Sequence, residues 1–333
     1  MKVLVATNFE PDEDTPQRGR WVTDQVEALR DMGVEVDLFS FPPGRDQYVS
    51  ATRTIRRLLK EGDFDLVHAH YGLVGWCALA AGAKPLVVTF HGTDVRHPLV
   101  GRLSRLLSGR IALNAPVSSA LLGPEGGREG LDRVPGRTAI LPCGPSLERF
   151  SPTPQGSARE RLGLERDARL LLFPADPARP EKRVELAASL ADASGFELLT
   201  GGDIDPEEMP VWMNAADAVV VTSLYEGFGM ACVEAISCET PVLSTPVGVA
   251  PLVLEGLPGA LCETFEIGRW SAFLKDVTGP SGIVVSGGAE AAAAFSARRM
   301  AERVMVAYRE VLERSGAEVP ISTDPSVSMG AAG

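Results

Sequence analysis

Residues 217–236, DAVVVTSLYEGFGMACVEAI, decide the fold of this chain. The segment opens with a short apolar run, Ala218 to Val221, and passes through Gly227 and Gly229 into residues with a helical period. An unbroken apolar run followed at once by glycine and a helix is typical of a buried parallel strand that feeds a helix. The sequence therefore predicts an α/β fold with a loop at the carboxyl end of the sheet, where open α/β folds bind their ligands.

The loop and the start of this helix suit an anion flanked by hydroxyl groups. Gly227 and Gly229 let the backbone approach a ligand closely, and the first-turn amides of a helix are unpaired donors at the positive end of its dipole. A phosphate would be stabilised there. Glu226 and Glu234 only accept hydrogen bonds when ionised, so they suit the hydroxyls of a sugar or a ribose instead.

Glu226 and Glu234 enclose the segment E-GFGMACV-E, which resembles the Glu-x7-Glu motif of retaining glycosyltransferases with the GT-B fold. Among these, the sequence is most similar to family four, the nucleotide-sugar-dependent glycosyltransferases of group 1. The resemblance extends to about residue 313 and is strongest over residues 173–250. It implies two Rossmann-like domains that face each other across a cleft, and a C-terminal helix, here about Glu290 to Arg314, that crosses back to the first domain.

The resemblance also implies an activity and roles for individual residues. The activity is transfer of a hexose, with retention of anomeric configuration, from a nucleotide-diphosphate sugar to a glycan, lipid-linked or small-molecule acceptor. By analogy with the family, Glu234 would bind the ribose hydroxyls, Glu226 the donor sugar, and Lys182 with Arg179 the diphosphate. The expected catalytic residues are His91, Glu226 and Lys182, and the other expected donor-binding residues are Gly19, His70, Arg179, Gly227, Phe228, Gly229, Met230 and Glu234.

Composition indicates two domains joined by a linker. The 333 residues are 45% hydrophobic, which suffices for two cores. Residues 144–160, GPSLERFSPTPQGSARE, are rich in Pro, Ser and Gly, as linkers are. We predict an acceptor-side Rossmann-like domain over residues 1–150, a donor-binding Rossmann-like domain over residues 151–313, and a disordered tail over residues 314–333.

Two apolar runs of the first half end in histidines. FDLVHAHYG places His68 and His70 on one face of a strand, and PLVVTFHGTDV ends in His91. Their position at strand ends of a doubly wound sheet favours a functional role for His70 and His91. Zinc binding is the competing use of clustered histidines. No Cys, Asp or Glu lies at a spacing that would complete a tetrahedral site, so we expect no metal and no cofactor.

Charge and cysteine usage narrow the partners and the compartment. Residues 1–150 hold 18 basic and 18 acidic residues, so the net charge of −12 falls entirely in the remainder and argues against nucleic acid as a partner. The five cysteines have no metal-type spacing, and the sequence contains neither a signal-peptide pattern nor a run of eighteen apolar residues. We expect a cytoplasmic protein with reduced thiols.

Residues 50–61, SATRTIRRLLKE, predict an amphipathic helix with one basic stripe. The stripe consists of Arg53, Arg56, Arg57 and Lys60. One interpretation is that the basic stripe is the solvent-exposed face of a crossover helix. The alternative is peripheral contact with anionic lipid head groups at the inner face of the membrane, supported by further arginines in residues 96–110.

The sequence leaves three alternatives to glycosyl transfer open. A nucleotide-sugar epimerase of the same architecture would need acid and base carboxylates near the sugar carbon. A dinucleotide oxidoreductase would need a GxGxxG fingerprint, which does not follow the first strand. A catalytically silent sugar-nucleotide-binding protein stays open because Pro177 replaces an Arg of the family and Val249 to Pro251 lack an acid that the family carries.

Overall fold

The computed structural model describes residues 1–13, 15, 17–124, 129–278 and 285–316. These residues form an α/β structure with two five-stranded sheets. The first sheet consists of β1 (Lys2–Thr7), β2 (Glu35–Ser40), β3 (Leu66–His70), β4 (Leu86–Phe90) and β5 (Leu113–Pro116). The second consists of β6 (Leu170–Phe173), β7 (Glu197–Thr200), β8 (Ala218–Val221), β9 (Val242–Ser244) and β10 (Ala260–Cys262).

Helices connect the strands and cover both faces of each sheet. In the first half they are α1 (Arg20–Asp31), α2 (Arg45–Glu61), α3 (Gly72–Ala81), α4 (Thr93–Arg96) and α5 (Pro98–Ser108). In the second half they are α6 (Gln155–Leu162), α7 (Val184–Ser194), α8 (Met209–Ala215), α9 (Met230–Ser237), α10 (Ala250–Val253) and α11 (Ile267–Thr278). The chain continues through α12 (Gly288–Ala293) and α13 (Ala297–Ser315).

The two sheets share one topology. Their strand orders are β2-β1-β3-β4-β5 and β10-β9-β8-β6-β7, and neighbouring strands run parallel. In each half the first strand therefore lies beside the third, so the strand order reverses at that point. Such a reversal opens a crevice at the carboxyl ends of the strands. The predicted pair of Rossmann-like units is confirmed.

The apolar run 218–221, strand β8, is buried because helices cover it on both sides. Val220 packs in one cluster with the α11 side chains Trp270 and Leu274, whereas Val219 packs in another with the α9 side chains Val233 and Ile236. A strand covered on both faces needs apolar residues at every position. This explains why the run shows no alternation and still forms a strand.

The C-terminal helix crosses back to the first sheet, as predicted, but it is not one piece. The sequence predicted a continuous helix from about Glu290 to Arg314, whereas α12 ends at Ala293 and α13 begins after Ser296, whose hydroxyl accepts from the Arg299 amide at 3.2 Å. The first piece packs on α9 and the second on α1. The break lets the C-terminal segment contact both halves, because α12 packs on the second half and α13 on the first.

The α13 side chains close the core of the first half. Tyr308 is fully buried, and its hydroxyl lies 2.6 Å from Nδ1 of His68 on β3. The domain limits at residues 150 and 313 stay a prediction. α13 continues through Ser315, and residues 317–333 of the predicted tail lie outside the described residues.

The basic stripe of α2 is exposed, as the amphipathic pattern predicted. Its exposed members are Arg53, Arg56, Arg57 and Lys60. Arg96 does not extend this surface, because it is buried and donates to the carbonyls of Ala120 and Gly123. In the described part of the chain no helix is long and apolar enough to span a bilayer. Contact of α2 with a membrane stays a prediction.

Candidate functional site

A cavity of about 640 Å³ lies between the carboxyl ends of the two sheets. Its wall on the side of the first sheet includes Phe9, Trp21, Tyr71 and His91, and its wall on the side of the second sheet includes Lys182, Glu226, Phe228, Met230 and Glu234. A volume of this size is typical of sites for small molecules and cofactors. The topology thus brings together residues that lie up to 225 positions apart, from Phe9 to Glu234.

Lys182 and Glu226 form an ion pair at the centre of the second wall. The ammonium nitrogen of Lys182 lies 2.5 Å from Oε1 of Glu226, and the Ser223 hydroxyl donates to the same oxygen at 2.7 Å. Lys182 ends a 3₁₀ turn after β6, and its carbonyl accepts from the Thr222 hydroxyl at 2.8 Å. The segments that follow β6 and β8 therefore hold the cation and the carboxylate side by side.

The loop before α9 turns sharply and leads the first turn of this helix to the cavity. Gly229 precedes the helix with φ of 95°, a left-handed conformation that favours glycine. Phe228 is buried against Phe295 with ring centroids 6.0 Å apart, and Met230 opens the helix at the cavity wall. The predicted strand, loop and helix over this stretch are confirmed.

Gly227 meets the first half of the chain rather than open space. A Cβ atom at this position would lie 1.8 Å from the carbonyl oxygen of His91, and the Ser118 hydroxyl donates to the Gly227 carbonyl at 2.5 Å. The sequence predicted that the small residue lets a ligand approach. The loop after β4 approaches Gly227 closely, because the two halves touch here. Gly227 also lines the cavity, and its contact with a ligand stays a prediction.

Glu234 lies on α9 at the cavity wall. Burial raises the pKa of its carboxyl to about 7, the Asp24 carboxylate also raises it, and the Arg149 guanidinium lowers it. Burial disfavours the ionised form of the carboxyl, and hydrogen-bond donors stabilise that form. Glu234 therefore suits a ligand that donates hydrogen bonds.

An ionic network beside Glu234 joins the two halves, and no sequence pattern predicted it. The Asp24 carboxylate accepts from Arg149 at 2.8 Å and from Arg20 at 3.2 Å, and Arg20 also pairs with Glu207 at 2.8 Å. The Asp24 side chain is almost fully buried on α1. A buried carboxylate needs a charged or hydrogen-bonding partner. Its burial would have indicated this pair, but the spacing of residues in the sequence does not reveal that burial.

Arg179 lies at the rim of the cavity and is half exposed. Its guanidinium donates to Oε1 of Glu181 at 2.9 and 2.5 Å, and its side chain is 50% exposed. Arg179 and Lys182 both line the cavity, and their joint binding of a diphosphate stays a prediction. Lys182 is the cation that lies next to Glu226.

His91 and His70 are stacked, but only His91 reaches the cavity. Their rings are 5.2 Å apart, with Nδ1 of His70 at 3.0 Å from Nε2 of His91. His70 is 1% exposed and lies behind His91 rather than among the lining residues, so the expectation that it approaches the ligand is not met by its position. Burial lowers the pKa of His91 to about 3, which makes this imidazole neutral near pH 7.

Asp94 holds the loops after β3 and β4 together, although no sequence pattern predicted this role. One carboxylate oxygen accepts from the amides of His91 at 2.9 Å and Gly92 at 3.0 Å, and the other accepts from the amide of Gly72 at 3.0 Å. Burial raises the pKa of Asp94 to about 6, against the lowering effect of these amides. The side chain positions the backbone around His91.

Gly19 caps the start of α1 without facing the cavity. Its φ is 78°, and a Cβ atom there would lie 2.1 Å from the carbonyl oxygen of Phe9. The glycine therefore allows the loop after β1 to pack on the helix.

Within the described ranges no group of three or more His, Cys, Asp or Glu side chains is placed to hold a metal ion.

Fold and site together define a two-sheet α/β protein with its ligand cavity between the halves. Residues 39–122 match the family model described as Glycosyltransferase Family 4, and residues 158–277 match the model described as Glycosyl transferases group 1. The chain therefore belongs to the family four, group 1 glycosyltransferases.

Relatives and solved structures agree with this assignment. The D-inositol 3-phosphate glycosyltransferase of Thermobispora bispora is 27% identical over 357 residues, with 87% of this chain and 81% of that protein covered. The protein of the same name from Mycobacterium tuberculosis is 26% identical, with 85% and 69% covered.

The fold is similar to that of sucrose-phosphate synthase from Thermosynechococcus elongatus, with a TM-score of 0.73, 19% identity, and 94% of this chain and 99% of that chain covered. It is also similar to Anabaena HepE solved with UDP, with a TM-score of 0.66, 16% identity, and 93% and 100% covered. At such identities the likeness establishes the GT-B fold alone.

Proposed function

We propose that this glycosyltransferase moves a sugar from a nucleotide-diphosphate sugar to a hydroxyl of the acceptor, with retention of anomeric configuration. The observation that carries the proposal is the Lys182–Glu226 pair at 2.5 Å, beside the first turn of α9 and inside the cavity between the halves. A cation, helix amides and a carboxylate in one place match a diphosphate next to a hydroxylated ring.

The cation and the helix would act on the leaving group. As the bond between the anomeric carbon and the diphosphate oxygen breaks, negative charge develops on that oxygen, and Lys182 with the first-turn amides of α9 stabilises it. The acceptor oxygen forms the new bond to the same carbon. Its proton leaves to the departing diphosphate or to water, so no oxidant or reductant takes part.

The carboxylates would orient the donor. Glu226 accepts hydrogen bonds from the sugar hydroxyls once Lys182 turns to the diphosphate, and Glu234 accepts from the ribose hydroxyls. His91 supplies a neutral imidazole from the opposite wall of the cavity, because burial lowers its pKa to about 3. Retention requires the acceptor to arrive on the face from which the diphosphate leaves.

The first test is calorimetric binding of UDP-, GDP-, ADP- and TDP-glucose, repeated with Lys182→Ala. Lys60→Ala, on the exposed stripe of α2, is the matched control. Tight binding of one nucleotide sugar that is lost in Lys182→Ala and kept in Lys60→Ala supports the donor site. Absence of binding across the panel contradicts it.

The second test separates an enzyme from a silent binding protein. Release of UDP, or of the nucleotide that binds, is followed in the presence of cyclitol, sugar and lipid-linked acceptors, and the anomeric configuration of the product is read by NMR. A product with the configuration of the donor supports the retaining reaction.

The proposal also includes a cytoplasmic location and peripheral contact of α2 with a membrane. Cell fractionation tests the location, and binding to anionic vesicles tests the membrane contact.

A further inference from the structure

Tyr71 has a backbone conformation that bulky residues avoid. Its φ is 90°, in the region that favours glycine, and it directly follows β3. The conformation is held by two hydrogen bonds, from its amide to the Thr89 carbonyl at 2.9 Å and from the Gly75 amide to its own carbonyl at 3.0 Å. Backbone outliers that the surrounding structure holds in place cluster at ligand sites.

Tyr71 lies where the first sheet changes its strand order. β3 pairs with β1, which is also the partner of β2, so the crevice of the first half opens between the ends of β1 and β3. Tyr71 and Phe9, which follow these two strands, both line the cavity. The strained backbone therefore directs an aromatic ring into the place where this topology binds ligands.

Three aromatic residues form one wall at this position. The Phe9 ring lies edge to face with Trp21 at 5.1 Å and with Tyr71 at 5.7 Å between centroids, and it contacts His91 at 5.2 Å. We call Phe9, Trp21 and Tyr71 the aromatic wall. They come from the loop after β1, the first turn of α1 and the end of β3, so the tertiary structure assembles the wall.

The aromatic wall carries polar atoms without protein partners. Across the described residues, no hydrogen bond of the Tyr71 hydroxyl is present, and the indole N–H of Trp21 is buried without an acceptor. Tyrosine and tryptophan polar atoms usually find partners when buried. Flat apolar rings edged by such groups match a ligand with a C–H face and a rim of hydroxyls, which is the chemistry of a sugar or cyclitol ring.

The cations near the aromatic wall are already neutralised. Arg18 pairs with Asp12 at 2.7 Å, Arg149 pairs with Asp24 at 2.8 Å, and Arg20 pairs with both Asp24 and Glu207. A phosphate on the bound ring would have to break one of these pairs and leave a carboxylate beside itself. This arrangement disfavours an anionic ligand at this wall.

We propose that the aromatic wall is the acceptor subsite, and that it takes a neutral hydroxylated ring, a sugar residue or a cyclitol that carries no phosphate. The Tyr71 hydroxyl hydrogen-bonds to the ring and Trp21 packs on its apolar face. The proposal rests on the proposed function, because the acceptor must lie across the cavity from a nucleotide-sugar donor. It sets this chain apart from the D-inositol 3-phosphate acceptor in the name of its relatives.

The test is calorimetric titration of the protein saturated with UDP, or with the nucleotide that binds. The probes are myo-inositol, methyl α-D-glucopyranoside and D-inositol 3-phosphate. We expect at least one neutral ring to bind, and D-inositol 3-phosphate to bind no more tightly than myo-inositol. Tyr71→Phe should weaken neutral-ring binding by about fivefold, the worth of one hydrogen bond, and Trp21→Leu by about tenfold.

Tyr48→Phe is the control, since it removes a hydroxyl that accepts from Asn8 outside the cavity lining. Nucleotide affinity should be unchanged in the Tyr71 and Tyr48 variants, so a failure of the donor site would be seen separately. The proposal is overturned if the phosphorylated ring binds tenfold more tightly than the neutral one. Equal binding by Tyr71→Phe and the parent, or no binding of either neutral ring by the nucleotide-loaded protein, also overturns it.

Discussion

Lys182 and Glu226 lie 44 positions apart in sequence, yet their charged atoms are 2.5 Å apart and both side chains are largely shielded from solvent. A shielded pair of this kind is sensitive to the loss of either member, because the other is left as an unpaired charge. In a cavity, the same pair can exchange partners with a ligand that carries both a negative diphosphate and hydroxyl donors.

Replacing Glu226 should therefore abolish transfer while the fold persists. Glu226→Gln keeps the size of the side chain and removes its charge, so kcat should fall by roughly 100-fold or more, as for lost groups that act on the transition state. Steady-state kinetics with the identified donor measures the change. Glu61→Gln, at an exposed ion pair with Arg57 on α2, should keep the parent rate. Full activity of Glu226→Gln would refute the assignment.

Glu234→Gln should change how stability depends on pH. Burial raises the folded pKa of Glu234 from 4.5 to about 7. Between these values the folded state holds a proton that the unfolded state has lost, so the group's contribution to stability falls as pH rises through this window. The destabilisation of the folded state by ionised Glu234 is fully present above pH 7 and absent below pH 4.5.

The variant should accordingly gain stability relative to the parent between pH 4.5 and pH 8, by up to about 3 kcal/mol. Urea unfolding of the two proteins across this range measures the difference. Glu61→Gln is the control and should follow the parent at each pH. A difference between Glu234→Gln and the parent that does not vary with pH would show that Glu234 titrates normally.

Gly227→Ala should disturb the contact between the halves. The added Cβ would lie 1.8 Å from the His91 carbonyl oxygen, so the loop and the first half must separate. We expect a loss of transfer of tenfold or more and a destabilisation of about 1–3 kcal/mol, typical of overpacked sites. Gly156→Ala is the matched control, since its Cβ meets nothing within 4 Å and it lies in α6, where alanine is favoured. Equal activity of both variants would contradict the prediction.

Tyr308→Phe should loosen α13 from the first sheet. The Tyr308 hydroxyl lies 2.6 Å from Nδ1 of His68 in a fully buried place, so its removal leaves a buried ring nitrogen unpaired. The free energy of unfolding should drop by about 1–3 kcal/mol. Chemical denaturation measures it. Val306→Ala, on the same helix but 54% exposed, should stay within about 0.5 kcal/mol of the parent.

The sequence predicted the central unit of the second half almost residue by residue. β8 and α9 lie where the apolar run and the helical period placed them, and Glu226 and Glu234 line one cavity as their spacing in a strand, loop and helix implied. The prediction succeeded because burial on both faces of a parallel strand and the period of a helix are local properties of the chain. The crossing of the last helix followed from the family resemblance alone.

The local pattern of residues along the sequence did not predict contacts between distant segments. His70 was expected at the ligand, but the packing of β3 against β4 puts His91 in front of it. Asp24 and Arg149 pair across 125 positions, and Gly227 meets the loop of His91. The sequence by itself determined which segments are strands and helices and which loop carries the carboxylates, because these depend on neighbours along the chain. The tertiary structure alone decided which side chains face the cavity and which charges pair, because these depend on how the two halves pack.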